Sequence, residues 1–249
     1  MQRVVEHPLH FKNIGLQRKS STRYTASPPS VGGVVFLLKE KLPHAKKTLE
    51  LITKNLYYKK MVIGLAGVAG SGKDTFYSIL SSKINAKRFS LADKLKEEVK
   101  PWCWKHYGID PLNCHRHEKE MIRDFLVFHA SYMRSKTNGR YWVDKIQEEV
   151  KNSQEKYKII TDIRYDDYEN DEVTWLKDEL GGILVHISMI RENGEPIPPA
   201  NSEEARNNPK LIDKADFILE WPKIEDSENI QEDLSPCVET VIHEMGIKY

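Results

Sequence analysis

Met61-Val62-Ile63-Gly64-Leu65-Ala66-Gly67-Val68-Ala69-Gly70-Ser71-Gly72-Lys73-Asp74-Thr75 is the stretch on which the reading of this chain turns. Its first six residues form an apolar run of the length of a buried strand. Gly67–Lys73 then matches the pattern Gly-x-x-x-x-Gly-Lys. Beyond it Phe76, Ile79, Leu80 and Ile84 fall on one face of a helix. Strand, glycine loop and helix in that order are the context in which such a loop holds phosphate. Its glycines let the backbone curl so that successive amides point inward, and the following helix adds its unpaired N–H groups. Lys73 supplies a mobile positive charge. Gly67, Gly70, Ser71, Gly72, Lys73, Asp74 and Thr75 are therefore the expected contacts to a nucleotide's phosphates. The Ser/Thr that commonly follows the lysine, and binds Mg²⁺ there, is replaced by Asp74, with Thr75 next. Two readings of Asp74 stand: a magnesium contact together with Thr75, or a carboxylate that favours the start of the helix. The loop contains no Gly-x-Gly-x-x-Gly, which argues against a dinucleotide fold.

Outward from the loop the pattern stays regular. A short strand is expected at Arg88–Leu91, followed by a helix carrying Leu95 and Val99. Helical spacing recurs over 118–134 and 141–151. Tyr157–Thr161 reads as a strand, followed by a helix with Val173, Leu176 and Leu180 that Gly181-Gly182 stops. Ile183–Ile187 and Asp216–Trp221 complete the strands. A polar stretch from Glu192 to Pro209 reads as a lid, and Ser235-Pro236 as the start of the last helix. Strands alternating with helices predict an α/β fold, a central parallel sheet flanked by helices, with a helical insertion and a lid.

The chain has 249 residues, long enough to bury a core without disulfides or metal, and its three cysteines fit a reducing, cytoplasmic setting. No apolar run is long enough to cross a bilayer, and the first residues lack the apolar core of a secretory signal. The net charge of +1 conceals a division. Residues 1–60 hold 12 Lys and Arg against 3 Asp and Glu, whereas the rest hold 26 against 34. Two parts are expected: a basic extension over 1–59, poorly ordered over 1–33 with a helix near 44–58, and a catalytic domain over 60–249. The basic part could attract nucleic acid or the acidic body itself, and also fits a solvated tail, while nothing in the acidic body suggests a nucleic-acid groove.

Other groups of chemical interest follow the strands. Asp162 and Arg164 stand at the carboxyl end of the Tyr157–Thr161 strand, on the sheet edge that carries the loop. Asp162 is expected to orient magnesium or contact an acceptor, and Arg164 to clamp phosphate. Glu169, Asp171 and Glu172 make the next turn acidic, and one of them is a candidate for a sugar hydroxyl or base. Arg123, Arg134 and Arg140 lie in the helical insertion, where arginine would grip an anion bidentately, and Trp142 offers a face for stacking. Arg191 and Arg206 belong to the expected lid, whose closure would exclude water. Cys103, His106, Cys114 and His117 have the chemistry of a four-ligand zinc site, although an aromatic core accounts for the segment equally well. Cys237 reads as core.

Five segments in order, Gly67–Thr75, Phe89–Lys96, Tyr141–Asp144, Thr161–Arg164 and Ala215–Leu219, resemble the deoxynucleoside monophosphate kinases of bacteriophages, over about residues 60–249. The resemblance implies a P-loop kinase fold, ATP with Mg²⁺ as donor and a deoxynucleoside 5′-monophosphate as acceptor. It implies roles for Asp162 and Arg164 and makes Arg191 the lid arginine, and these with Lys73 and Asp74 of the loop are the catalytic candidates. It also implies an acceptor site lined by Asp162, Arg164, Arg123 and Trp142, to which Ser131, Arg134 and Glu169 are added as candidates from their positions in the chain. A homodimer, and the host cytoplasm as its place, fit the same picture.

Overall fold

The computed structural model describes residues 15–18, 60–224 and 228–247. Six strands form one sheet: β1 (Gly15–Arg18), β2 (Met61–Ala66), β3 (Ala86–Phe89), β4 (Tyr157–Ile163), β5 (Ile183–Ile190) and β6 (Phe217–Pro222). Their order is β1-β6-β5-β2-β4-β3. The five strands from β2 to β6 run parallel, and β1 closes one edge antiparallel to β6. The helices are α1 (Lys73–Lys83), α2 (Leu91–Tyr107), α3 (Arg116–Ser135), α4 (Tyr141–Asn152), α5 (Glu172–Thr174), α6 (Ser202–Lys214) and α7 (Ile230–Glu244). A π-helical turn, Trp175–Glu179, continues α5.

The strands alternate their side chains between two cores, as their period of two requires. Ile63, Leu65, Ile159, Val185 and Leu219 pack with Phe76 and Leu80 of α1 and Val238 and Val241 of α7. Val62, Ala66, Ile160, Leu184 and Ile218 face the other way, onto Val143 and Ile146 of α4 and onto Trp175 and Leu176. Parallel strands covered on both faces read in sequence as continuous apolar runs. Each fully buried Ile or Leu contributes roughly 1.5–3 kcal/mol of transfer free energy. A third, smaller core (Val99, Cys103, Ile122, Leu126) holds α2 against α3 as a hairpin.

The α/β expectation holds, and several boundaries move. The strand expected at Arg88–Leu91 runs over Ala86–Phe89, because Ser90 turns to cap α2 and accepts a hydrogen bond from Asp93 N at 3.1 Å. The last helix starts at Ile230 rather than Ser235-Pro236. Asn229 caps it, and Leu234, Cys237 and Val238 are buried along one face, so Pro236 sits inside the helix. The polar stretch Glu192–Pro209 is not loop throughout. Its second half belongs to α6, with Asn201 accepting from Glu204 N at 2.9 Å. Gly15–Arg18, inside the stretch expected to be poorly ordered, pairs with β6. The helix expected near 44–58, and the rest of the 1–59 extension, lie outside the described residues.

In chain order β2 is followed by edge strand β3, then by β4 between them, and only then by β5 on β2's other side. The direction of travel across the sheet therefore reverses at β2. The crevice at such a point, beyond the carboxyl ends of β2, β4 and β5, is where an open α/β sheet takes its ligand.

Candidate active site

Gly67 leaves β2 at φ 134°, and a Cβ there would meet the Ile187 carbonyl oxygen at 2.3 Å. Gly72 caps α1 at φ 91°, with the Trp221 ring where a Cβ would stand, 2.4 Å from its nearest carbon. Positive φ without a side chain is a glycine property, so both positions are needed for the chain to curl as it does. Trp221, at the carboxyl end of β6, donates from Nε1 to the Ser71 carbonyl at 2.9 Å. The loop is thereby pinned from β6, two strands away in the sheet.

Lys73 is buried at the start of α1. Its Nζ donates to the carbonyls of Gly67 (2.7 Å) and Val68 (2.8 Å), with Ser71 Oγ at 3.4 Å. Burial first, and the charge of Arg164 second, lower the Lys73 ammonium to about 8. Carbonyl oxygens carry no net charge to offset its own. An anion in the loop would supply it and restore the ordinary lysine value.

Arg164 follows β4 directly, and its Nη1 lies 2.8 Å from Glu204 Oε1. The same Glu204 carboxylate accepts from Ala69 N (3.1 Å to Oε2) and from Ala200 N (3.0 Å). Burial opposes the charge of Glu204, but these amides and Arg164 outweigh it and hold the carboxyl below its ordinary value. A carboxylate thus rests on an amide of the phosphate loop and on the arginine facing it. Gly67, Val68, Arg164 and Glu204 line a narrow cavity there, closed by Asn208 and Leu211 of α6.

Asp162 is fully engaged. Oδ1 accepts from Leu91 N at 2.9 Å, and Oδ2 from Ala92 N at 2.7 Å and Ser90 Oγ at 2.8 Å. It caps α2 from the neighbouring strand, which fixes the helical hairpin to the crevice edge. Asp74 is exposed in the first turn of α1, next to the half-buried Thr75. One carboxylate and one hydroxyl at the loop's end suit Mg²⁺, which takes oxygen ligands and binds largely through its substrate's phosphates.

On α3, Arg123 lies on the crevice side and forms a bidentate pair with Glu120 (2.7 and 2.5 Å). Lys119, one turn earlier, has an exposed side chain whose ammonium end is partly screened from water. Loss of hydration, then the charges of Lys96, Arg123 and Arg164, hold its ammonium below the ordinary value. Lys96 of α2, Lys119 and Arg123 of α3 and Arg164 just after β4 therefore lie within electrostatic reach of one another. Arg134 is buried and ion-paired with Asp171, its guanidinium 3.6 Å from the centre of the Tyr165 ring. Arg134 Nε and Ser131 Oγ, one turn apart on α3, are buried without a hydrogen-bond partner. Glu172 is buried beside them and accepts from Arg164 N at 2.7 Å. Burial raises it to about 8 against the opposing charge of Arg134, with Asp171 adding to the rise.

Other sequence candidates stand apart. Trp142 is 3% exposed and donates from Nε1 to the Ala130 carbonyl at 3.3 Å, so its ring belongs to the core and offers no stacking face. Arg140 pairs with Asp144 and Glu179. Arg191 is held in its own turn, 3.3 Å from the Pro196 carbonyl. Arg206 pairs with Asp167 at 2.8 Å and Glu203 at 2.7 Å. Glu169 is exposed on the loop after β4. Cys103 is buried, and among the described residues no group of three His, Cys, Asp or Glu is gathered for a metal ion, so the zinc set is not assembled. Cys237 is core, as expected. Among those residues no helix is long and apolar enough to cross a membrane. Sequence reasoning missed Glu204, Lys119 and Trp221. Asn201-x-x-Glu204 is a helix-start pattern that would have flagged the first of these.

No protein-family model matches the chain, and no curated protein matches it in sequence. Solved structures do show similarity. The dephospho-CoA kinase from Campylobacter jejuni is 16% identical with a TM-score of 0.39, over 74% of this chain and 96% of that one. The shikimate kinase from Acinetobacter baumannii, in complex with shikimate, is 14% identical with a TM-score of 0.39, over 78% and 99%. The shikimate kinase from Aquifex aeolicus is 17% identical with a TM-score of 0.40, over 75% and 96%. These are distant likenesses, and the chemistry of this chain has to be read from its own residues.

Proposed function

We propose that the protein is a P-loop kinase that transfers phosphate from ATP to the 5′-phosphate of a deoxynucleoside monophosphate. The observation that carries the reading is Lys73, buried on its own loop's carbonyls and facing Arg164 at the carboxyl end of the next strand. A donor triphosphate would lie along the loop amides and the amino end of α1, with Lys73 swinging from carbonyl to phosphate. Asp74 and Thr75 would hold the Mg²⁺ that neutralises the phosphates. Arg164 would span donor and acceptor, and Lys119, Arg123 and Lys96 would draw in the acceptor's phosphate. Such transfer depends on positioning and charge neutralisation, and an already ionised acceptor phosphate needs no strong base.

Ser131 Oγ and Arg134 Nε support a polar acceptor group entering from the crevice, since both are buried and unpaired. Tyr165, over the Arg134 guanidinium, is better placed than Trp142 to meet a base. The burial of Trp142 removes one reason to prefer a nucleotide, and keeps a second reading in play: a kinase of another small phosphorylated metabolite. An ADP-release assay with a panel of nucleoside monophosphates and non-nucleotide phosphates separates the two. Turnover with deoxynucleoside monophosphates alone is the expected result. Turnover with none of the panel would refute the kinase reading.

A further inference from the structure

Trp175 and Trp221 are both fully buried, and they differ in one respect. Trp175 Nε1 has no hydrogen-bond partner, whereas Trp221 Nε1 donates to the Ser71 carbonyl at 2.9 Å, across 150 residues of chain. Ser71 O and Gly72 N belong to one trans peptide, so its C=O and N–H point in opposite directions. With the carbonyl on Trp221, the Gly72 N–H is aimed away from the indole. That N–H is one of the four at the head of α1 that have no carbonyl to bind within the helix. The peptides on either side have bonds of their own. Ser71 N donates to the Val68 carbonyl at 3.1 Å, and the Gly72 carbonyl accepts from Phe76 N at 2.8 Å. The Ser71–Gly72 peptide between them is held by Trp221. The ring also occupies the place that a Gly72 Cβ would take. Trp221 itself has little freedom: β6 pairs with β5 at Trp221↔Met189, and the indole lies against Phe76 of α1, centroids 6.2 Å apart.

We propose that Trp221 is a positioning residue for the donor's phosphates: its indole N–H locks the Ser71–Gly72 peptide so that the Gly72 amide serves as an anion donor. The inference rests on the kinase reading of the loop. Without the bond to Trp221, this peptide has a second orientation, rotated by half a turn. Glycine at 72 tolerates either, because it has no Cβ to oppose the change in φ. The rotated peptide would present the Ser71 carbonyl oxygen where the N–H had been. A phosphate would then meet a partial negative charge instead of a donor. It would lose a charge-assisted hydrogen bond and gain repulsion. The loop's glycines supply its curl, and Trp221 selects which side of the 71–72 peptide that curl presents.

Titration calorimetry of MgATP binding to the full chain tests this with two matched variants. Trp221→Phe keeps an aromatic ring and removes the N–H. Trp175→Phe makes the same change where no hydrogen bond is lost. Both should melt below the wild type. Trp221→Phe alone should bind MgATP more weakly, by about tenfold, the order expected for one hydrogen bond to a charged group. Should Trp221→Phe fail to fold, 3-benzothienylalanine at position 221 takes its place. It puts sulfur where the N–H was within the same outline, and it should show the same loss. Unchanged affinity in the position-221 variant overturns the proposal. So does an equal loss in Trp175→Phe, which would mark a general effect of a loosened core. A wild type with no affinity for MgATP would refute the kinase reading itself, and the proposal with it.

Discussion

Lys73 faces two demands. In the free protein its charge rests on two carbonyls, 2.7 and 2.8 Å away, and desolvation with Arg164 lowers it to about 8. Phosphate in the loop raises that value again, so binding near pH 8 should take up a proton. Calorimetry of ATP binding in buffers of different ionisation enthalpy should detect that uptake, and Lys73→Ala should abolish it while lowering turnover by orders of magnitude. ATP binding with no proton linkage would contradict the assignment. Glu204 offers a second measurement. Its carboxylate holds Ala69 N and Arg164, groups that a triphosphate would also attract. Glu204→Gln keeps the shape and removes the charge. The variant should bind ATP several-fold more tightly, and weaker binding would mean that the carboxylate braces the site instead of competing for it. Lys73 was legible because its loop is contiguous. Glu204 was not, because it arrives from 135 residues away on a helix read as loop.

Asp162 shows how a residue can be found for one reason and placed for another. Its position at a strand's carboxyl end was readable; its three partners at the start of α2, some 70 residues earlier in the chain, were not. As an N-cap supplied from another strand, it ties the hairpin to the crevice. Asp162→Asn should cost about 1–2 kcal/mol, within the range for lost helix caps. Urea unfolding measures that cost, and an unchanged midpoint would show that the cap contributes nothing. The strands and α1 were readable because apolar period and glycine punctuation agree there. Proline misled at α6 and α7. Pro209 and Pro236 sit within helices whose caps, Asn201 and Asn229, lie further upstream. Leu211 in one and Leu234 with Val238 in the other bury a continuous face across the break. Trp142 misled for a related reason: an aromatic on an amphipathic helix carries no local sign of whether it faces core or ligand.

At the scale of the molecule, the crevice concentrates charge that the fold must tolerate when empty. Asp162 and Asp171 are buried beside Glu172, with Arg134 and Arg164 as the counter-charges. Burial, reinforced by Asp171, raises Glu172 from the ordinary 4.5 to about 8. The sign of the linkage follows. Between those values the folded chain keeps a proton that the unfolded chain has released, so stability falls as pH rises through the interval. Glu172→Gln fixes the neutral form and should remove that part of the slope. The wild-type melting temperature should decline by several degrees from about pH 5 to about pH 8, and the variant should decline distinctly less. Lys73 acts in the opposite sense but only above about pH 8, where the unfolded chain holds the extra proton, so the two effects occupy separate windows. Parallel slopes for wild type and variant below pH 8 would mean that Glu172 ionises normally. The carboxylate would then be stabilised by Arg134 and the Arg164 amide beyond what its burial takes away.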